Sequence, residues 1–307
     1  MTKSKVRIGT RGSVLARAQT TIVQERLSKH FPRLKIEIVT VNTKGDRSQS
    51  DDTTLVGTKA FFTEDIEDLL SRGEIDLAVH SMKDLPSKLK PGLTLGATPP
   101  RGDPRDAFVS LNHGSFAEIG SGARIGTSSL RRKVQLIQLK RDVEVVNLRG
   151  NVETRVRKMN EQNLDGIVLA ACVFDRVRFS NVKIYPFPIE QMIPAPGQGV
   201  IAVEARKDDS ETLEMISSIN DHDTWTATEC ERAFVERIGG DCQTPVAAHC
   251  TIQNKMLKAM GMIASQDGTE IVKAEIRSYG HPRSLGVDLA NNLLSRGGKH
   301  IMEASLL

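Results

Sequence analysis

Two clusters of proline and glycine constrain this chain more than any other feature: Pro99-Pro100-Arg101-Gly102-Asp103-Pro104 and Pro194-Ala195-Pro196-Gly197-Gln198-Gly199. Proline fixes φ and removes a backbone donor, and glycine admits angles that other residues avoid, so each cluster interrupts regular structure. Strand-like and helix-like segments alternate before the first cluster and again between the two. A further strand-like segment, 200–205, follows the second. This pattern predicts two α/β lobes with two crossings between them, the first lobe being discontinuous and regaining a strand after residue 199. The expected divisions are 1–99 with 200–217 for the first lobe, 100–199 for the second and 218–307 for a third part. That third part reads as α+β: a helix over 223–238, a loop, three strands at 246–252, 256–264 and 271–278, and a helix over 283–295.

A length of 307 residues also favours several domains over one core. Hydrophobic content of 39% and charged content of 26% are those of a soluble globular protein. A net charge of +4 does not call for nucleic acid, and 4% aromatics offers few stacking platforms. The residues before Val6 contain no apolar signal core, and the longest nearly apolar run, 166–174, is too short to span a bilayer. Cys172, Cys230, Cys242 and Cys250 form no C-x-x-C pair, which suits a reducing cytoplasm, and the histidines show no H-x-x-x-H spacing for a metal.

Along the chain, 6–10 reads as a strand and 14–29 as a helix with Leu15, Ala18, Ile22 and Leu27 toward a sheet. A second strand follows at 35–41, then a long polar loop over 42–58, a helix over 61–70 and a buried strand at 75–79. The turn His80-Ser81-Met82-Lys83-Asp84-Leu85-Pro86 places a hydroxyl, an ammonium and a carboxylate at that strand's carboxyl end, the edge where open α/β sheets bind ligands. His80 itself reads as a hydrogen-bonded structural histidine. In the second lobe, strands are expected at 106–110, 124–125, 143–146 and 167–170. A helix to about 139, capped by Ser129, carries an apolar stripe of Leu130, Val134 and Ile137, leaving Arg131 and Arg132 off the stripe.

One local design recurs. A strand ends in Gly, Ser, Thr or Asn, a helix begins, and arginine lies close by. It occurs at Gly9-Thr10-Arg11-Gly12-Ser13, at Gly126-Thr127-Ser128-Ser129-Leu130-Arg131-Arg132, and at Asn147-Leu148-Arg149-Gly150-Asn151 with Arg155; Arg176 follows the strand at 167–170. Helix amino termini offer unpaired N–H groups, and arginine adds a planar fork for carboxylate or phosphate. Singly, each arginine suits a solvated helix face. Together, on parallel strands, they line a cleft for a ligand with several anionic groups. Asp84 stands out there: it either pairs with Lys83 or caps the next helix, or it stabilises a cation created by the chemistry or transfers a proton. Cys242, in Gly239-Gly240-Asp241-Cys242-Gln243-Thr244-Pro245, is either a thiol packed under a turn or one presented on a short loop for chemistry.

Together these segments resemble the porphobilinogen deaminase (hydroxymethylbilane synthase) family over nearly the whole chain. Asp103-Pro104-Arg105-Asp106-Ala107-Phe108, Leu148-Arg149-Gly150-Asn151-Val152 and Pro196-Gly197-Gln198-Gly199 add to the series in the family's order. The resemblance implies two lobes like those of periplasmic binding proteins and a third domain whose cysteine, here Cys242, holds a covalent dipyrromethane cofactor through a thioether. It implies that porphobilinogen, a small-molecule substrate, is added in four steps with loss of ammonia, and that hydroxymethylbilane is released by hydrolysis. Asp84 would stabilise the azafulvene cation formed as ammonia leaves. Ser81, Lys83, Thr127, Ser129, Arg131, Arg132 and Arg155 would face the cofactor. Arg11, Ser13, Gln19, Arg149 and Arg176 would face the substrate or growing chain. A cytoplasmic monomer acting without metal, nucleic acid or membrane is expected. The chain differs from the family pattern at Leu55, at Thr58-Lys59-Ala60 in place of Gly-Lys-Gly, and at Val173-Phe174 after Cys172. Two other readings of the same residues are a non-catalytic two-lobed anion-binding sensor and a hydrolase with Cys242 as nucleophile. The first has no use for Asp84 and Cys242, and the second lacks a histidine partner motif.

Overall fold

The computed structural model describes residues 3–43, 63–239 and 245–304. Cys242, Leu55 and Thr58-Lys59-Ala60 lie outside the described residues, as does most of the expected polar loop. In chain order the first elements are β1 (Lys5–Arg11), α1 (Val14–His30), β2 (Lys35–Val41), α2 (Glu64–Ser71), β3 (Leu77–Ser81), a 3-10 turn (Met82–Asp84) and β4 (Leu93–Ala97). Next come β5 (Asp106–Ser110), β6 (Arg124–Gly126), α3 (Leu130–Leu139), β7 (Glu144–Val146), α4 (Val152–Glu161), β8 (Gly166–Ala170), α5 (Cys172–Arg176) and β9 (Lys183–Pro186). The chain continues through β10 (Ile201–Arg206), α6 (Ser210–Ser217), α7 (His222–Ile238), β11 (Val246–Gln253), β12 (Met256–Ala264), β13 (Ile271–Ser278), α8 (Pro282–Leu293) and α9 (Lys299–Ala304).

The chain separates into two compact units, Met1–Gly102 with Gly199–Thr228, and Asp103–Gln198 with Glu229–Leu307. The first is built on a sheet of order β2-β1-β3-β10-β4. β1 is parallel to β2 and β3, while β10 runs antiparallel to both β3 and β4. Val6, Ile8, Leu77, Val79, Val203 and Ala205 alternate with the pleat and meet Val23 and Leu27 of α1 and Ile216 of α6 in one core. The face that α1 buries is Gln19, Thr20, Val23 and Leu27. Of the expected stripe only Leu27 is fully buried; Leu15, Ala18 and Ile22 are half-buried. Polar residues can occupy that face because each is satisfied there: Gln19 bonds Ser81, and the Thr20 hydroxyl donates to the Ala16 carbonyl at 2.9 Å.

The second unit holds a sheet of order β7-β6-β8-β5-β9, with β5 antiparallel to β8 and β9 and with β6 parallel to β7 and β8. β5 and β8 are buried throughout, so their near-continuous apolar runs pack on both faces. Phe108, Ile125 and Val168 face one core, and Ala107, Val109, Ile167 and Leu169 the other. Both five-stranded sheets place one reversed strand fourth, and in each case that strand follows a proline–glycine cluster. Two α/β lobes, the first of them discontinuous in sequence, were expected, and each unit holds one such five-stranded sheet.

The antiparallel sheet β11-β12-β13 also belongs to the second unit. Ala247, Met262 and Ala264 pack with Val134 of α3 and Ile193, which ties this sheet to the lobe. α8 crosses α7 closely: a Cβ at Gly286 would lie 2.1 Å from the Cys230 carbonyl oxygen, so no larger residue fits there. No helix among the described residues is long and apolar enough to cross a membrane.

Candidate functional site

In the first unit the relevant residues lie at the carboxyl ends of β1 and β3. Arg11 ends β1, and Ser13 caps α1, its hydroxyl accepting from the Ala16 N–H at 3.3 Å. Ser81 ends β3 and meets Gln19 of α1: the Gln19 amide donates to the Ser81 Oγ at 2.9 Å, and that hydroxyl lies 3.1 Å from Gln19 Oε1. Two residues 62 apart in sequence are thereby brought together. Lys83 and Asp84 follow in the 3-10 turn, both half-buried, flanked by the buried anchors Met82 and Leu85. The strand runs two residues further than the sequence suggested, so His80 and Ser81 belong to β3 and the turn begins at Met82. His80 is 5% exposed, and its Nε2 stands 3.3 Å from Glu204 of β10 with no hydrogen-bond partner; the expected hydrogen bond is not made at this nitrogen. Burial and the neighbouring Glu204 carboxyl push the Glu67 carboxyl of α2 above its ordinary range.

In the second unit the ends of β6, β7 and β8 carry the rest. Thr127 follows β6, buried, and its Oγ1 accepts from the Ser129 N–H at 3.2 Å. Ser129 caps α3 as expected, accepting from Arg132 N–H. Arg131 and Arg132 are the main correction. The buried face of α3 is Arg131, Arg132, Val134, Gln135 and Leu136, so both arginines lie on it, at 7% and 5% exposure, and not off it. They are drawn in by Asp106, the first residue of β5. Arg131 Nη1 donates to Asp106 Oδ2 at 2.6 Å and to the Ile193 carbonyl at 2.7 Å. Arg132 Nε donates to Asp106 Oδ1 at 2.9 Å, and its Nη1 to the Val168 carbonyl at 2.9 Å. Gln198 adds a bond from Nε2 to Asp106 Oδ1 at 3.0 Å. Burial pushes the Asp106 carboxyl up, but the two guanidinium groups outweigh it and hold that carboxyl far below the usual carboxylate range. Burial lowers the Arg132 pKa from its ordinary value, Asp106 offsetting part of the effect.

Arg149 is exposed after β7, Arg155 lies on α4 behind the Asn151 cap, and half-buried Arg176 ends α5 after β8. Val173, which differs from the family pattern, is buried at the start of α5. Cys172, Cys230 and Cys250 are buried free thiols. The Cys250 thiol and burial push the Cys230 thiol up, which makes it a poor nucleophile. Among the described residues no group of His, Cys, Asp and Glu could hold a metal ion.

The donor set has a definite chemistry. Two guanidinium groups share one carboxylate, which leaves one uncompensated positive charge at the amino end of α3, where the helix also presents its N–H groups. Within the same unit Arg149, Arg155 and Arg176 follow the ends of β7 and β8. This suits a group bearing several carboxylates, as the resemblance implied. The family model described as porphobilinogen deaminase, dipyromethane cofactor binding domain, matches residues 6–214, and that described as porphobilinogen deaminase, C-terminal domain, matches 225–295. The chain belongs to the porphobilinogen deaminase family.

Curated relatives include porphobilinogen deaminase of Syntrophotalea carbinolica, 45% identical over 305 residues, covering 99% of this chain and 97% of the relative. That of Trichlorobacter lovleyi is 44% identical over 304 residues, covering 99% and 97%. Among solved structures, the reduced OxyR regulatory domain of Pseudomonas aeruginosa covers 70% of this chain and 96% of its own at a TM-score of 0.41 and 16% identity, too low to bear on function. Asp106, Gln198, Glu204 and Glu231 are among the buried polar residues that sequence pattern alone did not single out. Each is distant in sequence from its partners.

Proposed function

We propose that this family member joins four porphobilinogen molecules in turn, with loss of ammonia at each addition, and releases hydroxymethylbilane by hydrolysis. The observation that carries this reading is the buried Arg131–Asp106–Arg132 cluster, a fixed net-cationic site at a helix amino terminus. Dipyrromethane, joined by a thioether to Cys242 in the domain formed by 218–307, supplies the primer to which substrate is added. Arg131 and Arg132 bind its carboxylates together with Ser81, Lys83, Thr127, Ser129 and Arg155. Arg11, Ser13, Gln19, Arg149 and Arg176 orient the acetate and propionate groups of the substrate. Asp84 stabilises the cation left on the substrate when ammonia departs, because a fixed carboxylate among cationic groups favours charge of that sign at one place only. The protein acts as a cytoplasmic monomer on this small molecule, without nucleic acid or membrane.

Intact-protein mass together with Ehrlich's reagent tests the reading. The full chain should carry an excess mass of two linked pyrrole units and give the colour reaction, and Cys242→Ser should lose both. Active protein of bare polypeptide mass would sink the proposal. In the same assay Asp84→Asn should keep the excess mass while turnover falls by about a hundredfold or more; near-normal turnover would remove Asp84 from the chemistry.

A further inference from the structure

The second unit contains a buried carboxylate that no part of the reading above uses. Glu231 of α7 is 1% exposed. Its Oε2 accepts from the Gly197 backbone N–H at 2.6 Å, and its Oε1 from the Cys250 backbone N–H at 2.8 Å. His249 Nδ1 stands 3.4 Å from the same Oε1. Both hydrogen bonds are short for a backbone N–H donor. β11 is an edge strand, so Glu231 takes the place that a neighbouring strand would otherwise fill at Cys250. Gly197 has φ +75°, an angle that favours glycine, in the second proline–glycine cluster.

The next residue extends the connection. Gln198 donates to Asp106, the counter-ion of Arg131 and Arg132. One dipeptide is therefore held through its backbone by Glu231 and through its side chain by the arginine cluster. In sequence, Glu231 and Cys250 lie on the two elements that flank the loop containing Cys242. We infer that Glu231 is a positioning residue: it fixes the elements flanking the cofactor-anchoring loop against the arginine pair that binds the cofactor carboxylates. This rests on the assignment of Cys242 as the anchor.

Glu231→Gln preserves shape but turns one acceptor into a donor facing a backbone N–H. The expected result is a folded protein whose kcat is reduced at least tenfold while KM for porphobilinogen stays within about twofold, since the substrate-binding arginines are not part of the clamp. Phe234→Leu, a core change on the same helix that lowers thermal stability without touching the clamp, should leave kcat near the wild-type value. Wild-type kcat in Glu231→Gln, or an equal kcat loss in Phe234→Leu, would overturn the inference. Should Glu231→Gln be insoluble, hydrogen exchange on the wild-type protein decides: the Gly197 and Cys250 amides should both be protected by about a hundredfold or more, and exchange at the free-peptide rate at either would refute the clamp. Cys242→Ser separates the two ideas. If that variant keeps the excess mass, the anchor assignment fails, whereas the kinetic comparison of Glu231→Gln with Phe234→Leu still judges the clamp.

Discussion

Asp106 is fully buried, and a carboxylate without water is tolerated only where opposite charge and hydrogen bonds replace its hydration. Here two guanidinium groups and the Gln198 amide do so. Removing the charge would leave two buried arginines sharing no counter-ion. Asp106→Asn is therefore expected to destabilise the protein by about 3–5 kcal/mol, measured by urea unfolding at neutral pH. The sign of its pH dependence follows from a lowered folded-state pKa. The stabilisation is present above the ordinary carboxylate range and is lost only as pH falls toward the lowered value, so mild acid leaves it intact. The arginines at strand-to-helix junctions were legible in the sequence because each junction is a local pattern. Their counter-ion was not: 25 residues separate Asp106 from Arg131, and no periodicity links a strand's first residue to a helix that follows another strand. The same distance blindness hid Glu231, whose partners Gly197 and Cys250 come from two other segments. The Gln19–Ser81 contact was missed for the same reason: the family resemblance named both residues, one toward the substrate and the other toward the cofactor, without linking them.

Among the elements, α6 shows how several weak terms combine at one helix end. Its cap, Asp209, accepts from Thr212 N–H at 3.1 Å and pairs with Lys3 and Arg206, each at 2.7 Å. Burial raises the Asp209 carboxyl, but the Lys3 and Thr212 bonds bring it down to about 2. The stabilisation is therefore complete above pH 4 and disappears as pH falls from about 4 to about 2. Asp209→Asn keeps a capping oxygen and loses the charge. It should lower stability by about 1–2 kcal/mol at pH 7 and match the wild type near pH 2, in denaturant titrations at the two pH values. Long periodic elements and capped helices were readable: β1, β2, α1, α3, β12 and β13 fall within a residue or two of expectation. β4, β9 and α6 were not seen. β4 and β9 are sheet edges of five and four residues, one containing Gly96 and the other ending in Pro186, and such edges tolerate residues that depress strand signals. α6 has eight residues, barely two turns, too few for a period to show.

At the scale of the whole molecule, the two five-stranded sheets share one plan but differ in how far along the chain their strands are drawn. The second sheet uses residues between 106 and 186 only. The first needs β10, with Ile201 opposite Ser81, inserted between β3 and β4. A chain made from its amino end therefore supplies every strand of the second sheet before the last strand of the first. For the time taken to make residues 98–200, roughly 5–20 s at ordinary elongation rates, β3 and β4 lack the strand that joins them. Ribosome-bound chains stalled with 195 residues outside the exit tunnel should resist protease at β5–β9 and be cut in β1–β4, and resistance should spread to β1–β4 once residue 206 emerges. Equal resistance of both stretches at the shorter length would contradict this order. The discontinuous lobe thus carries a liability during birth: an apolar sheet with unmatched edges, open to other nascent chains, while its younger neighbour is already shut.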